Sequence, residues 1–181
     1  MELDVSALRQ ASGAKEDFYV QGELPQRVMD PEEGSLQGPV ELSGTVANVG
    51  HILVVKGNVE ATVEFICSRC LRPFARHLRL PYEEEFCHIS QLHNVPPEAR
   101  EGVHDFAGET VALDETIAET IILSLPMRAL CREDCRGICP KCGQDLNEGS
   151  CDCRPDDVDP RLAVLSKFMG PGQKNPGREK R

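Results

Sequence analysis

Six of the chain's nine cysteines fall within 23 residues, Cys131, Cys135, Cys139, Cys142, Cys151 and Cys153, spaced C-x3-C-x3-C-x2-C-x8-C-x-C. Packing gives no reason to gather six thiols in a polar, turn-rich segment, whereas a soft or borderline metal ion does. Zinc takes about four thiolate or imidazole ligands in a tetrahedron, and cysteines two or three residues apart supply two corners from one tight turn. The clearest such turn is Cys139-Pro140-Lys141-Cys142-Gly143. Pro140 fixes one backbone angle, and Gly143 admits the positive φ that turns N–H groups toward the sulfurs. Three ligand sets are open. The first choice sets Cys131 and Cys135 against Cys139 and Cys142; the second closes the knuckle with Cys151 and Cys153; the third has two ions sharing ligands. Structural zinc contributes about 10–16 kcal/mol of apparent binding energy, against a whole-domain stability of about 5–15 kcal/mol. The segment has few large apolar residues, so it is expected to be disordered without metal.

A second C-x2-C, Cys67-Ser68-Arg69-Cys70, lies between two strand-like stretches. It reads as a metal half-site completed by the distant cluster or by another molecule, as a redox pair, or as two ordinary thiols in a turn. Redox chemistry of this kind wants a helix N-terminus to lower the thiol pKa, and here Pro73 and strand-like sequence follow instead. Arg69, Arg72, Arg76 and Arg79 occur in residues 66–80 with no acid among them, a candidate RNA contact with Phe74 as a stacking face. The plainer reading is a solvated strand face, with Glu83-Glu84-Glu85 as internal partners. Cys87, His88, His93 and His104 match no usual metal spacing. Cys135, Cys139 and Cys142 also have the C-x3-C-x2-C spacing of an iron–sulfur site in radical SAM enzymes, but only 39 residues follow Cys142, too few for the barrel such enzymes need. No Ser-His-Asp grouping, phosphate loop or dinucleotide fingerprint is legible.

The elements that must position these residues are mainly strands. A length of 181 residues fits one domain, or one with a small appendix, and the aromatic content of 4% requires a mainly aliphatic core. The net charge of −10 argues against a generic nucleic-acid binder, because phosphate repels the chain as a whole. No apolar run is long enough to cross a bilayer, and the acidic start Met1-Glu2-Leu3-Asp4 lacks a secretory pattern. A cytoplasmic protein is therefore expected, where clustered cysteines more often mean metal than disulfides. Residues 1–37 form an N-terminal strand and loop segment, with Phe18-Tyr19-Val20 as strand and Met29–Ser35 as exposed loop. Residues 38–126 form a β-rich core. In it Val40, Leu42, Gly44 and Val46 alternate, Ile52–Val55 is a buried run, and Val59, Ala61, Val63 and Phe65 alternate again. Turns are predicted at Gly50 and at Gly57-Asn58, with a returning strand over 74–86. Residues 88–109 read as a long loop. A helix over 114–125 starts at Asp114 as N-cap, puts Ile117, Ile121 and Leu125 on one face, and stops at Pro126. Residues 127–170 hold the Cys-rich zinc module and a short terminal helix beginning at Asp159-Pro160. Residues 171–181 form a disordered basic tail. The fold class is α+β: an antiparallel β-meander or barrel-like sheet, a helix, a zinc module and a terminal helix.

The string Cys67-Ser68-Arg69-Cys70-Leu71-Arg72-Pro73-Phe74, then Leu125-Pro126, the Cys131–Cys153 cluster through Gly143-Gln144-Asp145-Leu146-Asn147, and Asp159-Pro160-Arg161-Leu162-Ala163-Val164-Leu165 resemble the YceD family. These are the large ribosomal RNA subunit accumulation proteins of bacteria and plastids. The resemblance covers roughly residues 38–169. It implies a non-enzymatic factor for accumulation or processing of large-subunit (23S) rRNA and for ribosome assembly. The implied partner is that rRNA, a pre-ribosomal particle or a ribosomal protein, with no membrane and no small-molecule substrate. Members differ in whether they keep the C-terminal cysteines, which makes zinc a local staple here and the Cys67–Cys70 turn with its arginines the better candidate for a shared activity. The alternative is a zinc-dependent protein-interaction adaptor without RNA contact.

Overall fold

The computed structural model describes residues 1–25 and 34–153. The terminal helix and basic tail expected after residue 153, and most of the Met29–Ser35 loop, lie outside the described residues. The order of elements is β1 (Glu2–Asp4), α1 (Ser6–Gln10), β2 (Lys15–Gly22), β3 (Ser35–Leu36), β4 (Val40–Asn48), β5 (Ile52–Ile66), β6 (Pro73–His88), β7 (Val103–Phe106), β8 (Thr110–Ala112) and α2 (Asp114–Ser124). The main sheet runs β2-β4-β5-β6-β7, with β3 pairing β5 at one side, and β1 and β8 form a separate antiparallel pair. The fold is α+β, a curled mixed sheet.

Strands β4, β5 and β6 form the expected antiparallel meander. β5 and β6 pair along their whole lengths, from Ile52 opposite Cys87 to Ile66 opposite Pro73. Alternation sets the faces: Val40, Leu42 and Val46 of β4 and Leu53, Val55, Val59, Ala61, Val63 and Phe65 of β5 are buried. The first meander turn is where expected, with the Asn48 side chain accepting from the Gly50 N–H at 2.9 Å.

The second expected turn is absent, and β5 runs straight through Gly57-Asn58. The reason is its partner strand. Gly57 lies opposite Gly44, and a Cβ on Gly44 would stand 2.0 Å from the Lys56 carbonyl oxygen. The glycine pair therefore marks a close backbone approach that helps the sheet curl, not a reversal of the chain.

Residues 88–109 are also more ordered than a loop. Two short 3-10 turns, Leu92–Asn94 and Pro97–Ala99, lead into β7, which pairs in parallel with the end of β6. That pairing makes the sheet mixed. Helix α2 lies close to its expected bounds and buries Ile117 and Ile121. Leu113, not Asp114, holds the N-cap position. Asp114 instead pairs with the amino group of Met1, which tethers the chain start to the helix. Leu3, Val5 and Leu8 enter the same core as α2 and the sheet. Among the described residues no helix is long and apolar enough to cross a membrane.

Candidate metal centres

The connection from β5 to β6 is a tight turn. The Cys67 N–H donates to the Arg72 carbonyl and the Leu71 N–H to the Cys67 carbonyl, both at 2.9 Å. Leu71 takes φ 58°, the left-handed region usually left to glycine. Far along the chain, the same construction recurs at the second C-x2-C. There the Gly143 N–H donates to the Cys139 carbonyl at 2.9 Å, and Gly143 has φ 73°. The two C-x2-C turns are conformational twins, each presenting two sulfurs on one side.

Eight of the nine sulfurs gather in two groups of four, with all the atoms of a group within 4.8 Å of one another. One group is Cys67, Cys70, Cys131 and Cys135; the other is Cys139, Cys142, Cys151 and Cys153. The preferred set of Cys131 and Cys135 with Cys139 and Cys142 does not form. The twin turns explain this: each knuckle occupies half of its own tetrahedron and draws its other half from a different stretch of chain. The sulfur grouping of the second choice, the knuckle with Cys151 and Cys153, is the one present, and the Cys67-Cys70 pair is joined by Cys131 and Cys135 of the same chain. The ninth thiol, Cys87, belongs to neither group; nor do His88, His93 and His104.

The spacing of the sulfurs tests the fit to zinc. A tetrahedron with metal–sulfur bonds of about 2.3 Å has sulfurs about 3.8 Å apart, while a disulfide would bring them to about 2.05 Å. Cys67 and Cys135 stand 3.8 Å apart, and Cys70 and Cys131 3.7 Å. All nine cysteines are free thiols. The first group's spacing therefore fits a tetrahedral dication with four thiolate ligands, and the second, with its sulfurs within 4.8 Å of one another, is compatible with one.

Their electrostatics differ from those of ordinary thiols. Burial opposes ionisation of Cys67, but the N–H groups of Cys131, Cys70 and Arg69 outweigh it and bring the thiol down to about 6. The N–H groups of Cys142 and Lys141, with the Cys151 thiol, bring Cys139 to about 6. Burial and the neighbouring sulfurs push Cys131 up to about 12; in the other group, Cys142, burial and Cys139 push Cys153 up to about 12. Each group thus combines one ready thiolate with a sulfur that resists a further negative charge. A bound dication supplies the charge that lets all four ionise.

The groups differ in setting. In the first, Cys67, Cys70 and Cys135 are buried; in the second only Cys139 is buried, and Cys142 and Cys153 are exposed. The first group sits in its own small core with Phe74, Leu130 and Ile138. It joins the β5–β6 hairpin to the segment after α2, reinforced by the Ser68 N–H donating to the Ala129 carbonyl at 2.8 Å. Asn147 supports it from outside: its amide donates to the Cys135 sulfur at 3.5 Å, and its carbonyl accepts from the Arg136 N–H at 2.7 Å. Asp145 in turn accepts from the Asn147 N–H at 2.7 Å, which, with Arg72, holds its carboxyl below the usual carboxylate range.

The arginines of the hairpin take part in this fastening. Arg69 donates to the Cys135 carbonyl at 2.8 Å. Arg72 reaches Asp145 at 2.8 Å and Glu148 at 2.5 Å. Arg76 reaches the Leu130 carbonyl at 3.4 Å and lies over the Phe74 ring. Arg79 stands apart, 3.5 Å from Glu60. All four keep exposed surface. The acidic run does not pair with them: Glu83 meets Lys56, and Glu84 meets His104. Sequence reasoning missed Asp145 and Asn147 as supports of the sulfur groups, because neither has a periodic or spacing signal and their role appears only once Arg72 and Cys135 lie beside them.

A family model described as Large ribosomal RNA subunit accumulation protein YceD matches residues 55–169, well over half of the chain and all eight clustered cysteines. An uncharacterized protein of Mycobacterium tuberculosis (strain ATCC 25618 / H37Rv) is 29% identical over 94% of this chain and 82% of its own length. The Large ribosomal RNA subunit accumulation protein YCED homolog 1, chloroplastic, of Arabidopsis thaliana is 28% identical over 45% of this chain and 23% of its own. The uncharacterized protein YlbN of Bacillus subtilis (strain 168) is 29% identical over 49% of this chain and 52% of its own. No solved structure matches.

Proposed function

The chain belongs to the YceD family, and from that premise we propose that it is a non-enzymatic factor that sustains accumulation of large-subunit (23S) rRNA, working on a pre-ribosomal particle in the cytoplasm. The observation that carries the reading is the family match across the whole region in which the hairpin and the C-terminal segment are joined. In this reading Cys67, Cys70, Cys131 and Cys135 hold one zinc ion, and Cys139, Cys142, Cys151 and Cys153 a second. The ions supply rigidity. The residues do the rest, as Arg69, Arg72 and Arg76 clamp the module to the sheet and leave their outer edges toward a partner. Depletion of the protein from its own cells is expected to lower the ratio of 23S to 16S rRNA. Wild-type protein should restore it, and Cys67→Ser with Cys135→Ser should not. An unchanged ratio on depletion rejects the reading.

One observation favours a protein-interaction adaptor as the second reading. Three of the four hairpin arginines spend guanidinium groups on the module itself, in a chain of net charge −10. Crosslinking in cells separates the two: adducts to 23S rRNA support the first reading, and adducts to a ribosomal protein alone support the second.

A further inference from the structure

At the end of the β5–β6 hairpin remote from the two sulfur groups, a cavity of about 350 Å3 opens between α1, the β4–β5 turn and the end of β6. That is near the lower bound for small-ligand sites, enough for a phosphate with its sugar. The wall carries Arg9, Gln10, His51, His88 and Gln91, with Glu109 as its one acid. The buried Asn48 also lines the cavity, with its amide donating to the Leu8 carbonyl at 2.6 Å and accepting from the Gly50 N–H.

The donors around it are largely unspent. Arg9 lies over the Phe106 ring, 5.8 Å from its centroid, and gives one N–H to the Gly108 carbonyl; it has no carboxylate partner among the described residues. The His88 ring packs edge-on against the same Phe106 at 5.3 Å. Its Nδ1 faces Ser90, accepting from the N–H at 3.2 Å and lying 2.7 Å from the hydroxyl; in the tautomer in which Nδ1 accepts from both, the ring proton sits on Nε2 as a donor. Burial and the adjacent Arg9 lower the pKa of His88, so this neutral form is favoured. The side chains of Gln10 and His51 have no polar partner among the described residues. A guanidinium beside several neutral donors suits an oxyanion, because charge-assisted hydrogen bonds to phosphate are the strong ones. Glu109 offsets part of the positive charge, so recognition rests on placed donors around one cation.

We propose that this cavity binds a phosphate group, of a nucleotide or of an RNA strand, with Arg9 as charged anchor and Gln10, His51 and His88 as donors. The choice of RNA over a free nucleotide rests on the ribosomal reading; the site does not.

The test follows the histidine ring resonances of the zinc-loaded full chain during titration with inorganic phosphate, then adenosine monophosphate, then a short oligoribonucleotide. Saturable shifts at His51 and His88, with His77 unmoved, are expected. Arg9→Gln should weaken binding about tenfold. Gln10→Ala, which removes no internal hydrogen bond, should weaken it a few-fold without loss of fold. Tighter binding of the oligonucleotide assigns the site to RNA, and equal binding of the mononucleotide assigns it to nucleotides. No saturable shift with any of the three probes overturns the proposal. So does an oligonucleotide that binds without moving His51 and His88, or unchanged affinity in both variants. None of these outcomes bears on the 23S ratio after depletion, so the two readings fail separately.

Discussion

At the scale of single residues, the informative positions are those that close each knuckle. Gly143 and Leu71 have the same left-handed conformation, yet only one is glycine. The strain on a non-glycine residue there, about 1–2 kcal/mol, exceeds the chain-entropy advantage of a side chain, about 0.5–1 kcal/mol. Leu71→Gly should therefore stabilise the zinc-loaded protein by about 0.5–1 kcal/mol in denaturant titration. A loss of stability would show that the Leu71 side chain has a role in the fold. The cysteines should separate cleanly. Cys142→Ser is expected to lower zinc content from two ions per chain to one while the sheet resists denaturant as before. Cys67→Ser should also cost one ion, but with release of the module from the hairpin, visible as new protease cuts between residues 127 and 137. Equal effects of the two substitutions would contradict the contrast in burial. Tyr82 gives a pH signature. It is buried and shares a 2.6 Å hydrogen bond with Thr116, and burial pushes its phenol up to about 12. The folded state thus favours the neutral phenol, and that contribution is full below the ordinary value of about 10 and fades as pH rises toward 12. Phenolate absorbance should show Tyr82 ionising together with alkaline unfolding, and Tyr82→Phe should abolish that part of the alkaline loss. The knuckle of the second sulfur group was legible because C-P-x-C-G is local, though its closure by Cys151 and Cys153 was only the second choice. The first group was legible as a half-site at Cys67-Cys70, but which cysteines complete it was not, because the halves stand 61–68 residues apart.

At the scale of elements, the sheet carries the hairpin, and its shape depends on two glycines. A methyl group at Gly44 would meet the Lys56 carbonyl at 2.0 Å, a backbone atom that cannot swing away. Gly44→Ala should cost about 2 kcal/mol or more, and chemical denaturation should show it as a lower midpoint. A change under about 0.5 kcal/mol would show that the strands can part at no cost. The meander was readable because alternating valines and leucines repeat with a period of two. Gly57-Asn58 misled because the same dipeptide serves a turn or a close strand crossing, and only the facing Gly44 decides. β7 and β8, of four and three residues, are too short for periodicity to show. They are fixed by tertiary pairing with β6 and β1. Helix α2 was readable from its Ile117–Ile121 stripe and the stop at Pro126. Its start at residue 114 was readable too, and only the capping role was not, because Asp114 is drawn to the Met1 amine and Leu113 takes the N-cap position.

At the scale of the whole molecule, the sheet with α2 has an aliphatic core of its own, while the module after residue 130 relies on sulfur and on a few polar clamps. Chelation should accordingly expose the amides of residues 131–153 to hydrogen exchange and leave β4, β5 and β6 protected. Full protection of the module without metal would show that it folds by itself. If the outer edges of Arg69, Arg72, Arg76 and Arg79 meet RNA, neutralising them should flatten the salt dependence of affinity by roughly 0.7–0.9 log unit for each phosphate they would otherwise neutralise. An unchanged slope moves the RNA interface away from the hairpin. The long reach of the first sulfur group also bears on how the polypeptide is made. Translation at roughly 5–20 residues per second needs about 3–14 s to bridge the 61–68 residues between its two halves. Throughout that interval the nascent hairpin carries two thiols whose partner sulfurs are not yet synthesised. If the first group holds zinc, the emerging chain is open until then to capture by another ion or by an oxidant, and zinc supply during elongation becomes a determinant of its yield.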